Sequence, residues 1–454
     1  MITSFPAFTA ALGRRLRAGA DAPLAVGFSG GSDSLALLIL TLDWARARGR
    51  SVLSLTVDHQ LNPASPAWTA EAVAKARALG AEARALAWTG RKPVTGLSAA
   101  ARAARHALLA EAARQAGARV LLLGHTADDL AEAALMRAGG STVSDPREWS
   151  PSPAWPEGRG VFVLRPLLAE RREALRDWLR ARGETWLDDP ANADPRSARA
   201  RARRDLQQAG PRREDPQPPW GSALPAACVA TSGMTGPGAA AGYLVLPRDA
   251  PAAQVAAACL CAAGTSRPPR GERLQRLVDR IRTGETFTAT LAGARIEAVG
   301  RTVGFFREPG EARRFGSDLP PVGEVSARPT EGSVFERPTY PPLGPSGHLP
   351  HGGRICDLPL NEPLVWDGRY ELVAAVPGLA VRPLQGLAAR LPPDQRRALK
   401  GLPASARPGL PAVVAPDGGV SCPILAGPET TRARCLVVDR FEAATGRVDQ
   451  EPAT

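Results

Sequence analysis

Over the first 190 residues, short and almost wholly apolar runs alternate with longer amphipathic ones. "LAVGF" (24–28), "SVLSLTVD" (51–58), "ARVLLLGH" (118–125) and the end of "VFVLRPLL" (161–168) read as buried strands, and "EARALAW" (82–88) as a weaker one. Between them run the helical patterns "DSLALLILTLDWARARG", "PAWTAEAVAKARALG", "SAAARAARHALLAEAARQAG" and "ADDLAEAALMRAG", with "AERREALRDWLRARG" last. Gly49 and Gly80 stand where helices close. Near-continuous apolar strands separated by helices predict an α/β fold, a Rossmann-like parallel sheet covered on both faces.

From Arg196 the pattern gives way to "RSARARARRD", then to "GPRREDPQPPWG". The first domain is therefore expected at 1–205, with a basic and proline-rich linker at 206–221. A second, α+β domain is expected at 222–317, carrying the helix "GERLQRLVDRIRTG" and the strands of "TFTATLAGARIEAVG". A long Pro/Gly stretch (318–353) separates it from a small β-rich C-terminal domain at 354–454. No internal repeat is visible.

The length of 454 residues agrees with two or three domains. No apolar run approaches the roughly 18 residues of a membrane span. The first residues, "MITSFPAFTAALGRRLRAG", place charge after the apolar part, the reverse of a secretory signal. Both features point to the cytoplasm. All six cysteines lie beyond residue 227, and none forms a C-x-x-C pair. Net charge is +12; lysine occurs only at 75, 92 and 400, so 54 of the 57 basic residues are arginine. Such a balance fits a polyanionic partner such as RNA, although a chain rich in Ala, Gly, Pro and Arg reaches it without one.

"SGGSDS", Ser29 to Ser34, sits where the first strand meets the first sheet-covering helix. Gly30 and Gly31 permit positive φ and close approach of backbone to a ligand. Successive N–H groups there can cradle phosphate, with Ser29, Ser32 and Ser34 adding hydroxyls. It is not a Walker A loop, since no lysine follows. Asp33 would repel phosphate unless a cation bridges them, which brings in Mg2+. "VDHQL" (57–61) and "GHTADDLAE" (124–132) end later strands on the same sheet edge. Asp33, Asp58, His59, His125, Asp128, Asp129 and Glu132 are therefore expected around one crevice. Asp128, Asp129 and Glu132 share a helical face.

Together, "SGGSDS", "VDHQL", "AARAARH", "GHTADDLAE" and "DDPANADPRSARARAR" follow the order and approximate spacing of the tRNA(Ile)-lysidine synthetases, which the chain resembles over about residues 20–204. These are N-type ATP pyrophosphatases with a PP-loop fold. The resemblance implies cleavage of ATP between its α- and β-phosphates and adenylation of the wobble cytidine at its C2 oxygen in tRNA(Ile) with anticodon CAU. The ε-amine of free L-lysine then displaces AMP, which changes codon reading from AUG to AUA. It further implies that Ser29 to Ser34 bind ATP, that Asp33 helps hold Mg2+, and that Asp128, Asp129 and Glu132 lie near substrate lysine with His125. Arg102 and Arg105 would meet phosphates or the lysine carboxylate. Arg105, Arg199 and Arg203 are the implied tRNA contacts, and Asn192 and Asp194 belong to the same closing tract.

This chain departs from the family pattern at His106, Ala133 and Ala200, where Tyr, Thr and Asn are usual. Two other readings compete with this one. A thiolating PP-loop enzyme needs cysteine near the loop, and none precedes residue 228. A non-catalytic tRNA-binding protein needs neither an intact glycine loop nor three acids. Oligomeric state is open.

Overall fold

The computed structural model describes residues 5–141, 145–187, 198–208, 241–266, 268–309, 355–425 and 430–453. The chain divides into two compact units, Met1–Thr231 with Asp439–Thr454, and Ser232–Val438.

The first unit contains α1 (Pro6–Arg15), β1 (Leu24–Gly27), α2 (Ser32–Arg46), β2 (Val52–Asp58), α3 (Ser65–Ala78), β3 (Glu82–Ala87) and α4 (Leu97–Gln115). There follow β4 (Val120–Leu123), α5 (Ala127–Ala138), β5 (Trp149–Pro151), β6 (Phe162–Leu164), α6 (Arg172–Ala181) and α7 (Ala198–Gln208). One sheet runs β3-β2-β1-β4-β6-β5. All neighbours are parallel except β5 on β6. Leu24 of β1 registers with Val52 on one side and Val120 on the other.

Both faces of the sheet are covered, as the unbroken apolar strands predict. Leu24, Val26 and Leu122 pack on one face with Leu35, Leu38, Leu175 and Leu179. Ala25, Leu121, Leu123 and Val163 pack on the other with Leu109 and Ala113. Helix α2 is buried from Leu35 to Leu42, which explains why its sequence is apolar all round. The pattern did not disclose α1, whose Phe8 and Leu12 are fully buried. It also missed β5, a three-residue strand whose Trp149 stacks on Phe162 at 4.9 Å.

The end of the chain returns to this unit. Glu451 accepts from Arg50 Nη1 at 2.9 Å and Nη2 at 2.7 Å, while Arg50 Nε donates to Ala22 O at 3.0 Å. Arg17 N donates to the same carboxylate at 3.2 Å, and Trp149 Nε1 donates to Val448 O at 2.8 Å. The C-terminal domain expected at 354–454 thus gives up residues 439–454 to the first unit.

In the second unit, β7 (Leu244–Pro247), α8 (Ala252–Ala263), α9 (Glu272–Arg282), β8 (Phe287–Leu291), β9 (Ala294–Val299) and β10 (Thr302–Arg307) form an antiparallel sheet, β7-β10-β9-β8, with its helices. Two small sheets follow among the described residues. One joins β11 (Cys356–Asp357), β14 (Ala380–Pro383), β15 (Pro411–Val414) and β16 (Val420–Ser421). The other joins β12 (Pro363–Trp366), β13 (Tyr370–Ala374) and β17 (Thr431–Cys435). Buried Asp367 takes hydrogen bonds from Arg307 Nε at 3.2 Å and Arg369 Nε at 2.9 Å, tying the segment before residue 309 to the one after 355. Residues 209–221 and 318–353 of the expected linkers lie outside the described residues. No described helix is long and apolar enough to cross a membrane.

The Arg50 and Glu451 side chains are 2% and 1% exposed. Removing one partner of such a pair strands a buried charge, at a cost of about 3–5 kcal/mol. Glu451→Ala is therefore expected to lower the denaturant midpoint of the first unit by a corresponding amount. The Arg50→Met/Glu451→Leu double variant should recover most of the loss, and equal stability of Glu451→Ala and the parent chain would refute the clasp.

Candidate active site

In the order β3-β2-β1-β4-β6, the chain turns in opposite directions from β1 and from β4, so their carboxyl ends frame a crevice where ligands bind. Residues 28–34 leave β1 into that crevice and residues 124–132 leave β4 into it. Gly30 has φ +84°, and a Cβ there would lie 2.6 Å from Leu187 Cδ1. Leu187 N also donates to Gly30 O at 3.0 Å. Gly31, which permits positive φ, does not use it and has φ −74° and ψ 163° as the N-cap of α2. Extended geometry at an N-cap serves any residue, so the requirement for glycine rests on Gly30.

The loop is braced from within. Ser34 Oγ donates to Gly31 O at 2.9 Å, accepts from Ser29 N at 3.2 Å and lies 3.1 Å from Ser29 Oγ. The hydroxyl of Ser34, expected to face a ligand, is thus turned into the loop. Ser32 Oγ donates to Asp33 Oδ1 at 3.2 Å. Gly124, which the motif reading passed over, holds the two strand ends together: a Cβ there would lie 2.9 Å from Asp33 O.

The acids collect on one guanidinium. Arg172 donates from Nε to Asp33 Oδ2 at 2.8 Å and from Nη1 to Glu132 Oε1 at 3.1 Å, with Nη2 3.5 Å from Asp129 Oδ2. Its backbone N donates to Asp128 Oδ2 at 2.8 Å. Asp129 also closes a capping box, accepting from Thr126 N at 2.9 Å. Glu132, 1% exposed, accepts from Arg203 Nε at 2.8 Å as well. Arg203, implied as a tRNA contact, thus faces the acidic cluster. Burial pushes the Asp33 carboxyl above its ordinary range, opposed by Arg172 beside it. The same carboxylates hold the Arg172 guanidinium well above its own ordinary value, against its burial. Arg172 was legible only as a misfit, a basic residue opening a helix where acids are favoured.

Asp58 Oδ1 accepts from Gln60 N at 2.7 Å and Ser65 Oγ at 2.6 Å, closing the turn into α3. His59 packs edge-on against Trp88 at 6.1 Å, and burial, then Arg105, push its imidazole below the ordinary value. His125 is buried at the end of β4, in electrostatic reach of His106. Arg102, Arg105 and His106 lie on α4 as the sequence placed them. Of the three departures, His106 and Ala133 are buried. The side chains of Arg199 and Ala200, and all of Asn192 and Asp194, lie outside the described residues.

A PP-loop domain family model matches residues 8–209. The tRNA(Ile)-lysidine synthase of Caulobacter vibrioides is 52% identical over 453 residues, covering 98% of both chains. That of Hyphomonas neptunium is 41% identical over 319 residues, covering 64% of this chain and 83% of its own. Among solved structures, the U34-tRNA thiolase NcsA of Methanococcus maripaludis aligns with 45% of this chain and 73% of its own, at 16% identity and a TM-score of 0.37.

Since Arg172 is the main group opposing the effect of burial on Asp33, Arg172→Met leaves burial opposed only by the weaker hydrogen bond from Ser32. Carboxyl NMR titration is expected to show Asp33 taking up its proton at a higher pH in Arg172→Met than in the parent chain. Arg176→Met, which removes a 3.3 Å hydrogen bond to Ser32 Oγ and a guanidinium over the Trp186 ring but leaves the Arg172 contact with Asp33 in place, should leave Asp33 close to its parent value. An unmoved Asp33 in Arg172→Met would contradict this geometry.

Proposed function

Because this chain belongs to the tRNA(Ile)-lysidine synthase family, we propose that it joins free L-lysine to C2 of the wobble cytidine of tRNA(Ile) with anticodon CAU, using ATP and releasing AMP and pyrophosphate. The observation that carries this reading is the sharing of Arg172 by Asp33 and Glu132. A carboxylate of the phosphate loop and one buried in the acidic cluster lie within the width of a single guanidinium. A cluster that already accepts cationic N–H donors suits an ammonium group, and its neighbour is the loop that would hold the triphosphate. An amine seated there is next to the phosphate that activates its target, which is the proximity the second half-reaction needs.

In the first half-reaction the loop N–H groups and Ser32 orient the triphosphate, and the C2 oxygen of cytidine attacks the α-phosphorus as pyrophosphate leaves. In the second, the ε-amine of lysine attacks C2, AMP leaves, and a carboxylate of the cluster takes the amine proton. Asp33 would supply one carboxylate to a Mg2+, an ion that favours phosphate oxygens and waters as partners. Bound there, the ion would neutralise phosphate charge. Arg105 and Arg199 supply positive charge for the tRNA, while Arg203 pairs with Glu132, and the reaction belongs in the cytoplasm with its substrates. Thiolation is disfavoured because no cysteine precedes residue 228.

Two variants separate the half-reactions. Asp33→Asn is expected to abolish the tRNA–AMP adduct formed from α-labelled ATP without lysine. Glu132→Gln should still form the adduct and raise the lysine needed to discharge it by about tenfold or more, the worth of a charge-assisted hydrogen bond. ADP as the main product, or equal loss of the adduct in both variants, would overturn the reading.

A further inference from the structure

Arg165 follows β6 directly and is 6% exposed. Its Nη1 is anchored, donating to Arg147 O at 2.8 Å and Ser150 Oγ at 3.3 Å. Its Nε is buried without a hydrogen-bond partner, and among the described residues no carboxylate pairs with the guanidinium. The charges within its reach are of its own sign. Burial, then Arg102 and Arg105, push the guanidinium down to about 10. The neighbouring imidazole of His106, 5% exposed, is pushed down to about 2 by burial and by Arg105, Arg102, Arg165 and His125, so it is neutral and cannot repel an anion. Its Nδ1 is also without a partner. A buried cation with no counter-charge is costly, and a bound anion in good geometry offsets that cost.

We propose that the free Nε–Nη2 edge of Arg165 is the seat of a small oxyanion, the α-carboxylate of the substrate amino acid. This rests on the reaction proposed above and deepens it. A guanidinium held by Nη1 presents Nε and Nη2 as a planar fork that fits two oxygens of one carboxylate. Position along the sheet edge favours a carboxylate over phosphate. The phosphate loop leaves β1, the acidic cluster leaves β4, and Arg165 leaves β6, with β4 between the other two. Neighbouring strands are about 4.8 Å apart, so the anion seat is about two strand spacings from the phosphate loop. Lysine laid along that edge puts its carboxylate on Arg165 and its ε-amine at the cluster, towards the loop. Arg102 and Arg105 add positive potential on the same side.

The test is Arg165→Gln, assayed with lysine and with cadaverine, the same diamine chain without the carboxylate. The parent enzyme is expected to discharge the tRNA–AMP adduct with lysine in strong preference to cadaverine. Arg165→Gln should raise the lysine KM by about tenfold or more, leave the cadaverine KM unchanged and so erase most of the preference, while the adduct still forms. An unchanged preference overturns the inference. So does an unchanged preference accompanied by weakened pyrophosphate inhibition, which would make phosphate the occupant. If Arg165→Gln does not fold, Arg165→Lys keeps the charge and loses the fork. It should show the same loss of preference, and full preference in that variant also overturns the inference. A parent enzyme that forms no adduct at all would instead refute the reaction, a distinct result.

Discussion

Arg172 is the side chain on which the candidate site converges. Three carboxylates from two strand ends approach its guanidinium, and a fourth, Asp128, accepts from its backbone N–H. Without that cation, Asp33 and Asp129 would be like charges crowded at low exposure, with Arg203 left beside Glu132. With it, a phosphate loop from β1 and an acidic helix from β4 become one site. Burial still pushes the Asp33 carboxyl upward despite the pair, so the site holds that charge at a cost.

The backbone imposes a second constraint. Gly124 lets the turn after β4 pass against the main chain of Asp33, and Gly30 lets Leu187 close over the loop. Neither glycine touches a substrate through a side chain. Each allows an approach that a methyl group would block, and the distances between Asp33 and the acids of α5 follow from those approaches.

Much of this was legible in the chain. The strand runs at 24–28, 51–58, 82–88 and 118–125 and the helices between them were evident because both faces of the sheet are buried, which leaves apolar runs little polar interruption. The glycine loop and the acids of α5 were evident because their chemistry is local. What stayed hidden depends on contacts distant in sequence. Arg172 and Arg165 stand far from the motifs they complete, and Glu451 finds Arg50 across most of the chain. Asp58 carries a motif-like signature yet closes a turn, because a carboxylate at the end of a strand serves backbone N–H groups as readily as it serves a ligand. Arg203 stood in a basic run as an implied tRNA contact, and its contact with Glu132 depends on how α7 lies along α5.

The central claim is that one crevice holds the phosphate loop and the amine-binding acids side by side. A crystal structure of the protein with a non-hydrolysable ATP analogue, Mg2+ and lysine tests it most directly. The predicted result has the phosphates on residues 29–34 and the lysine ε-nitrogen about 3 Å from a carboxylate oxygen of Glu132 or Asp129. Lysine bound instead beside Asp58 and His59, or phosphates away from the glycine loop, would contradict it.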